Sequence, residues 1–225
     1  MTAVGPWTVL DSQLSFADPW LRVRSDRVRT AEGDVFGPYH VIEYPDWVTI
    51  VPLVEGSFRL LLVREYRHGV GAILAGLPGG LVDLADGQVP QRAAETAARR
   101  ELREETGYAG GHLEHLATLH PNPSNQSNTA YCYLASGLSR DTASSPGGVG
   151  EAQEVLEADF VETLRAVRDG QLPCHAIHAA ALWGAAARIA GDRTARFDTL
   201  PHRLRSFLGG EPAYPAPSAG TTVGG

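Results

Sequence analysis

Residues 100–107 read Arg-Glu-Leu-Arg-Glu-Glu-Thr-Gly. On a helix, Glu101 and Glu105 stand at i and i+4, on one face and one turn apart, with Glu104 beside them at i+3 from Glu101. Three carboxylates crowded in this way repel one another unless a cation joins them. Oxygen-only donors suit a hard divalent ion, Mg²⁺ or Mn²⁺, better than zinc. Arg100 can hold one of the carboxylates through a charge-assisted pair. Gly107 follows where a helix end favours a left-handed residue.

Taken alone, a Glu-rich turn flanked by Arg is also what a solvated helix face looks like. The residues upstream change that reading. Leu77-Pro78-Gly79-Gly80-Leu81-Val82-Asp83 closes an apolar stretch with a Pro-Gly-Gly turn, and Pro90 suits the first turn of a helix. A glycine loop, an acidic helix and Thr106-Gly107 together resemble the Nudix box. That pattern ends in Arg-Glu-apolar-any-Glu-Glu-any-Gly-apolar, which Arg100 to Tyr108 matches in full. The first half departs from it, because the spacing from Gly80 to Arg100 is six residues longer than in the family. Counting back from Arg100 puts Arg92 where the pattern has its first Glu. Aligning Gly87-Gln88 with the family's Gly-Glu instead leaves about four extra helical residues, close to one 3.6-residue turn, which preserves the face presented. On that alignment Gln88 replaces the first Glu, and Asp83 or Asp86 partly substitutes for it.

The elements that must position these residues follow from patterning. Residues 1–45 carry short β-like pieces at Trp7–Leu10, Leu21–Arg29 and Gly37–Glu43, with a Glu32-Gly33-Asp34 hairpin turn between the last two. Val48–Leu53 and Phe58–Tyr66 are apolar, β-branched runs split by Glu55-Gly56-Ser57. A helix is predicted over 90–106 and strands over His112–Leu119, Thr129–Ser136 and Glu154–Val161. Two further helices are predicted at about 161–169 and 175–190. Asn122–Asn128 and Asp141–Gly150 read as loops, and Gly209–Gly225 has a disorder-prone composition. Strands on both sides of one acidic helix predict an α/β/α sandwich around a mixed sheet. The domain division expected is an N-terminal β-rich dimerisation segment over 1–45, a hydrolase domain over 46–205 and a disordered tail over 206–225.

Composition narrows the class. A chain of 225 residues with 43% apolar residues can bury one good core. Its net charge of −7 argues against nucleic-acid partners, which want a basic stripe. All 19 basic side chains are Arg, so phosphate binding falls to Arg. Cys132 and Cys174 are expected as buried free thiols. No run reaches the roughly 18 apolar residues of a membrane span, so a cytoplasmic chain without a membrane partner is expected.

Further motifs resemble the ADP-ribose pyrophosphatase branch of the Nudix family. They are Tyr66-Arg67-His68-Gly69-Val70 ahead of Leu77-Pro78-Gly79-Gly80, Pro45-Asp46-Trp47, Pro121-Asn122-Pro123, and the Gly-Glu-any-any-Glu of Gly150–Glu154. The branch often has Glu where this chain has Gly76. The resemblance implies hydrolysis of the diphosphate bond of ADP-ribose, to AMP and ribose 5-phosphate, or of a related nucleoside diphosphate sugar. It also implies a homodimer with exchanged N-terminal β segments. It assigns Mg²⁺ to Glu101, Glu104 and Glu105, with the Gly79 carbonyl as a further ligand. Glu151 becomes the candidate general base, with Glu154 second and a solvent-exposed loop acid as the bland alternative. Arg67 is the candidate phosphate clamp, or else a surface ion pair. Trp47 is either a base-stacking residue or a core aromatic, and Arg100 orients a carboxylate. His175 and His178, at i and i+3, lack a third ligand and are expected to be surface or packing residues. A second class of function stays open, a nucleotide-sugar sensor on the same scaffold, to which Gln88 and Gly76 would point.

Overall fold

The computed structural model describes residues 4–83, 88–142 and 152–209, the Ala195 side chain excepted. The N-terminal part is an antiparallel sheet of β1 (Thr8–Ala17), β2 (Arg22–Arg29) and β3 (Val35–Glu43). Gly33 turns the β2–β3 hairpin at φ 98°, a conformation that costs glycine little. β1 runs well past the Trp7–Leu10 piece. Near its middle Ser12 donates to buried Asp26 of β2 at 2.6 Å, a carboxylate that Arg24 of β2 also pairs with at 2.9 Å.

The larger sheet is built from β4 (Trp47–Val54), β5 (Leu60–Arg67), β6 (Ala72–Gly76), β7 (Gly79–Leu81), β8 (Tyr108–Ala109), β9 (His112–Leu119), β10 (Ala130–Arg140) and β11 (Glu154–Ala158). Its strand order is β11-β5-β4-β10-β8, with β6 on β5, β7 on β4 and β9 on β10. The β4–β10 pair is parallel and the other pairs are antiparallel, so the sheet is mixed. β4 is buried on both faces, as its near-continuous apolar run Trp-Val-Thr-Ile-Val-Pro-Leu-Val demands.

Alternation along the strands divides the core in two. Val48 and Ile50 of β4, with Tyr131, Tyr133 and Ala135 of β10, face helix α1 (Pro90–Thr106). Val51 and Leu53, with Cys132 and Leu134, face α2 (Phe160–Arg168), α3 (Ala176–Ala190) and α4 (Leu200–Gly209). Helices therefore cover both faces of the mixed sheet, the α/β/α sandwich expected. Two boundaries differ from expectation. β11 stops at Ala158 because Asp159 caps α2, accepting the N–H groups of Val161 at 3.0 Å and Glu162 at 3.1 Å. Helix α4 crosses the 205/206 division, with Leu204 fully buried and Phe207 packed on the core.

The 122–128 loop ties the two sheets together. Ile42 N–H donates to the Asn125 carbonyl at 2.7 Å, and Ser127 N–H donates to the Ile42 carbonyl at 3.2 Å. Both cysteines are free thiols; Cys132 is buried and Cys174 only partly so. No helix among the described residues is long and apolar enough to cross a membrane.

Candidate active site

Helix α1 carries two i+4 ridges. One, Ala94–Ala98–Leu102–Thr106, is buried along its whole length. The other begins as Ala93 and Ala97 in the core and continues as Glu101 and Glu105. Alanines let the helix lie close on the sheet, so the two carboxylates emerge directly over β7. Gly107 ends the helix at φ 71°, its N–H returned to the Arg103 carbonyl at 2.9 Å. The helix is continuous from Pro90, and Gln88 lies outside it, ahead of the N-cap Val89. Asp86 lies outside the described residues.

The two glycines of β7 are needed for space. A Cβ on Gly80 would fall 2.2 Å from Glu101 Oε1, and one on Gly79 would fall 2.1 Å from the Val48 carbonyl oxygen. Gly79 N–H donates to Glu105 Oε2 at 2.8 Å. Arg100 grips the outer side of the cluster. It meets Glu101 at 2.8 Å, Glu104 at 3.1 Å and Asp83 at 3.6 Å, and donates to the Leu81 carbonyl at 3.0 Å.

These contacts order the three acids. The Glu101 side chain is 13% exposed and that of Glu104 is 58% exposed. Burial pushes Glu105 up to about 7, with the charges of Glu101 and Glu65 adding to it, while the Gly79 N–H and Arg67 oppose. Burial also raises Glu101; Arg100 offsets part of this, and Glu104 and Asp83 add to it. Both groups therefore carry an electrostatic cost that a cation would relieve. Among the described residues no three His, Cys, Asp or Glu side chains converge as a ready metal cluster. Arg100 draws Glu101 and Glu104 outward, and Gly79 holds Glu105. The chemistry of the donor set still fits a hard divalent ion, which would take over the role now filled by the Arg100 guanidinium.

Glu101, Glu105, Gly79, Gly80, Arg100 and Asp83 line a cleft of about 1280 Å³. Arg67 and Trp47 line it too, at the end of β5 and the start of β4, whereas Glu104 does not. Arg67 pairs with Glu65 at 2.5 Å, the ion pair expected as one of its two alternatives, and does so within the cleft lining. Glu151 lies outside the described residues, and its neighbour Ala152 lines the cleft. Glu154 opens β11, pairs with Arg64 at 2.9 Å and does not line the cleft.

Three cleft residues escaped the sequence reading as site residues. Glu65 stands two residues from Arg67 on the same strand and so on the same face, a signal the period-2 pattern offered. His175 and His178, expected at the surface or in packing, form a wall with Trp47 at ring-centroid distances of 5.0 and 6.1 Å. His178 Nδ1 accepts the Leu77 N–H at 3.2 Å, so the neutral ring carries its proton on Nε2. Burial, with His175 and Arg67 nearby, pushes His178 down to about 3. Gly76 is explained by the same contact, since a Cβ there would fall 2.9 Å from His178 Nδ1.

The sequence pattern of the NUDIX domain matches residues 44–175, and that of the nucleoside diphosphate sugar hydrolase N-terminal domain matches residues 7–42. GDP-mannose pyrophosphatase of Enterobacter sp. (strain 638) is 30% identical over 115 residues, 50% of this chain and 59% of that protein. ADP-ribose pyrophosphatase of Mycobacterium tuberculosis is 34% identical over 116 residues, 52% of this chain and 53% of that protein. The CMP-5'-(N-acetyl-N-hydroxy-3-aminopropyl)phosphonate hydrolase of Streptomyces rubellomurinus is 36% identical over 135 residues, 59% of this chain and 60% of that protein. The chain thus spans less than two thirds of the length of these curated relatives. A solved ADP compounds hydrolase shares the fold, with a TM-score of 0.70 and 24% identity over 85% of this chain and 98% of that one.

Proposed function

The chain belongs to the NUDIX family, and from that premise we propose that it hydrolyses the diphosphate bond of ADP-ribose, or of a related nucleoside diphosphate sugar, releasing AMP and ribose 5-phosphate in the first case. The observation that carries this reading is the pair of partly buried carboxylates, Glu101 and Glu105, seated against Gly79 and Gly80 in the lining of a large cleft. The relatives' names support the substrate class, and so does the match of residues 7–42 to a nucleoside diphosphate sugar hydrolase segment.

Glu101 and Glu105 are the residues that would hold Mg²⁺ or Mn²⁺, with the Gly79 carbonyl. Glu104 joins them once it leaves Arg100. When bound, such an ion neutralises diphosphate oxygens and acidifies a coordinated water. The chain's own part is to bind and orient. Arg67, in the same cleft lining, offers a planar guanidinium to phosphate oxygens once it exchanges Glu65 for substrate. Arg100 steadies the outer carboxylates, and Trp47 with the two histidines walls the cleft. Glu151 is assigned the proton of the attacking water, supported by the position of Ala152 in the cleft lining.

We assign a homodimer on the same grounds. The N-terminal sheet leaves Trp7, Leu14 and Phe16 about half exposed, which favours a partner surface.

The test is AMP release from ADP-ribose by the purified full-length chain, with Mg²⁺ and then with EDTA, beside ADP-glucose and GDP-mannose. Metal-dependent release is expected, with Glu105→Gln lowering kcat by orders of magnitude in a folded protein. Near-wild-type turnover in that variant would overturn the assignment of the carboxylates. Nucleotide binding with no turnover of any substrate would favour the sensor reading to which Gln88 and Gly76 point.

A further inference from the structure

The Leu77-Pro78 turn sits where the chain changes its partner in the sheet. β6 ends on β5, with Gly76 opposite Val63, and β7 begins on β4, with Gly79 opposite Thr49. β4 and β5 pair with each other at Leu53 and Leu60, away from this turn, so the chain crosses a seam between them. Backbone groups in such a crossing fall outside the regular ladder and need partners of their own. The Pro78 carbonyl accepts the Ile50 N–H of β4 at 2.9 Å. Gly79 N–H donates to Glu105 of α1 at 2.8 Å. Leu77 N–H donates the other way, to His178 Nδ1 of α3 at 3.2 Å. The turn is thus pinned from three sides, and α1 and α3 hold it from opposite faces of the sheet.

His178 is an unusual residue for its place. The other buried residues of α3 are all Ala, Leu or Ile. An imidazole only 5% exposed among them is costly unless its nitrogens are used. A Leu would pack there without that cost, so packing gives no reason for the histidine, whereas the Leu77 N–H does. Gly76 is fitted to the same ring, since a Cβ there would fall 2.9 Å from Nδ1. Trp47 and His175 flank the imidazole at ring-centroid distances of 6.1 and 5.5 Å. His178 also lies outside residues 44–175, the span that matches the NUDIX domain pattern.

We propose that His178 is a positioning residue of the active site: acting through the Leu77 N–H, it sets the turn that carries Gly79 and so the place of the Glu105 carboxylate. The inference rests on the hydrolase reading for what Glu105 does. Helix α3, across the sheet from α1, thereby takes part in shaping the carboxylate site. A shift of the turn moves the Gly79 N–H, and the carboxylate bonded to it moves too.

The test compares His178→Asn with His178→Leu in the full-length chain, by kcat and KM for AMP release from ADP-ribose and by calorimetric binding of Mg²⁺ without nucleotide. Asn offers an amide oxygen where Nδ1 now accepts but leaves space beside Trp47; Leu fills the space and accepts nothing. His178→Leu is expected to lower kcat and Mg²⁺ affinity about 10- to 100-fold, the range that losing a group behind a metal ligand produces, with KM little changed. His178→Asn is expected to lose much less, whereas a packing role would give the reverse order. Circular dichroism checks the fold of His178→Leu. If that variant unfolds, Gly76→Ala, whose methyl must push the ring aside, is expected to show the same fall in kcat. Wild-type kcat in a folded His178→Leu, or in Gly76→Ala where it stands in, overturns the proposal, as does an Asn variant that falls as far as the Leu variant. A wild type that binds Mg²⁺ and releases no AMP fails the hydrolase reading alone, and the Mg²⁺ affinities of the variants then decide the positioning role. A wild type that binds no Mg²⁺ fails both.

Discussion

Glu105→Gln is expected to stabilise the metal-free chain at pH 8 and to leave its stability at pH 4.5 unchanged. Burial, reinforced by Glu101 and Glu65, lifts Glu105 from 4.5 to about 7. A carboxyl with a folded pKa above its unfolded value holds its proton more tightly when folded. The stability this contributes is complete below pH 4.5 and is lost as pH rises through 7. Each pH interval between those values removes about 1.4 kcal/mol, or about 3 kcal/mol over the whole range. Glu105 borders an open cleft, and solvent screening reduces the figure to about 2 kcal/mol. The Gln amide oxygen can still accept the Gly79 N–H, so the variant loses the charge and keeps the bond. The expected gain at pH 8 is about 4–8 °C in Tm for a chain of this size. Thermal unfolding of both proteins in EDTA at pH 4.5, 6 and 8 measures it. Mg²⁺ should act the other way, adding about 2.7 kcal/mol to the wild type at a hundred times its Kd and less at low pH, where protons compete. Equal Tm differences at pH 4.5 and 8, or a variant less stable at pH 8, would refute the electrostatic account of Glu105.

Two further substitutions probe the frame around that residue. Gly80→Ala drives a methyl against the Glu101 carboxylate, which must swing away; kcat is expected to fall while Tm changes little. Gly79→Ala instead meets the backbone carbonyl of Val48 and is expected to cost about 3 kcal/mol of stability in urea unfolding. Asp159→Ala removes the cap of α2 and a 2.8 Å pair with Arg203, an expected loss of about 1–2 kcal/mol at neutral pH. Burial works to raise this carboxyl, but the two N–H groups and Arg203 prevail and hold it below 3.8. Its contribution is therefore present above pH 3.8 and lost as pH falls through the folded pKa, so the urea midpoints of variant and wild type should converge as the solution is acidified below 3.8.

Residues 90–106 were legible in sequence because propensity, Pro90, Gly107 and the alanine ridges all agree. β4 and β10 were legible as apolar runs, although the extension of β10 to Arg140 was not, since its last residues are exposed and polar. β1 was read too short for a different reason: register shifts between Val9 and Asp11 and between Leu14 and Phe16 break the period-2 alternation that a strand search follows. The three short elements β6, β7 and β8 carry too few residues to show a period. At the site, helical spacing grouped Glu101, Glu104 and Glu105, but only packing separates the 58% exposed Glu104 from its partners. His178 and Gly76 meet across 102 positions of chain, and nothing local in either stretch announces the other.

The parallel pairing of β4 with β10 bears on how the chain reaches this state. Trp47 aligns with Ala130, and Thr129 N–H donates to the Asp46 carboxylate, 83 positions away in the chain, at 2.7 Å. Helix α1 lies within that span. Its local hydrogen bonds can form early, whereas the strands that flatten its alanine ridge must first close a long loop. A chain still emerging from the ribosome at residue 110 would thus hold its acidic ridge in water, with β7 but no β10. Catalytic competence should be a late acquisition in refolding. Stopped-flow circular dichroism is expected to recover helical signal before AMP release returns, and simultaneous recovery of the two would contradict this order of assembly.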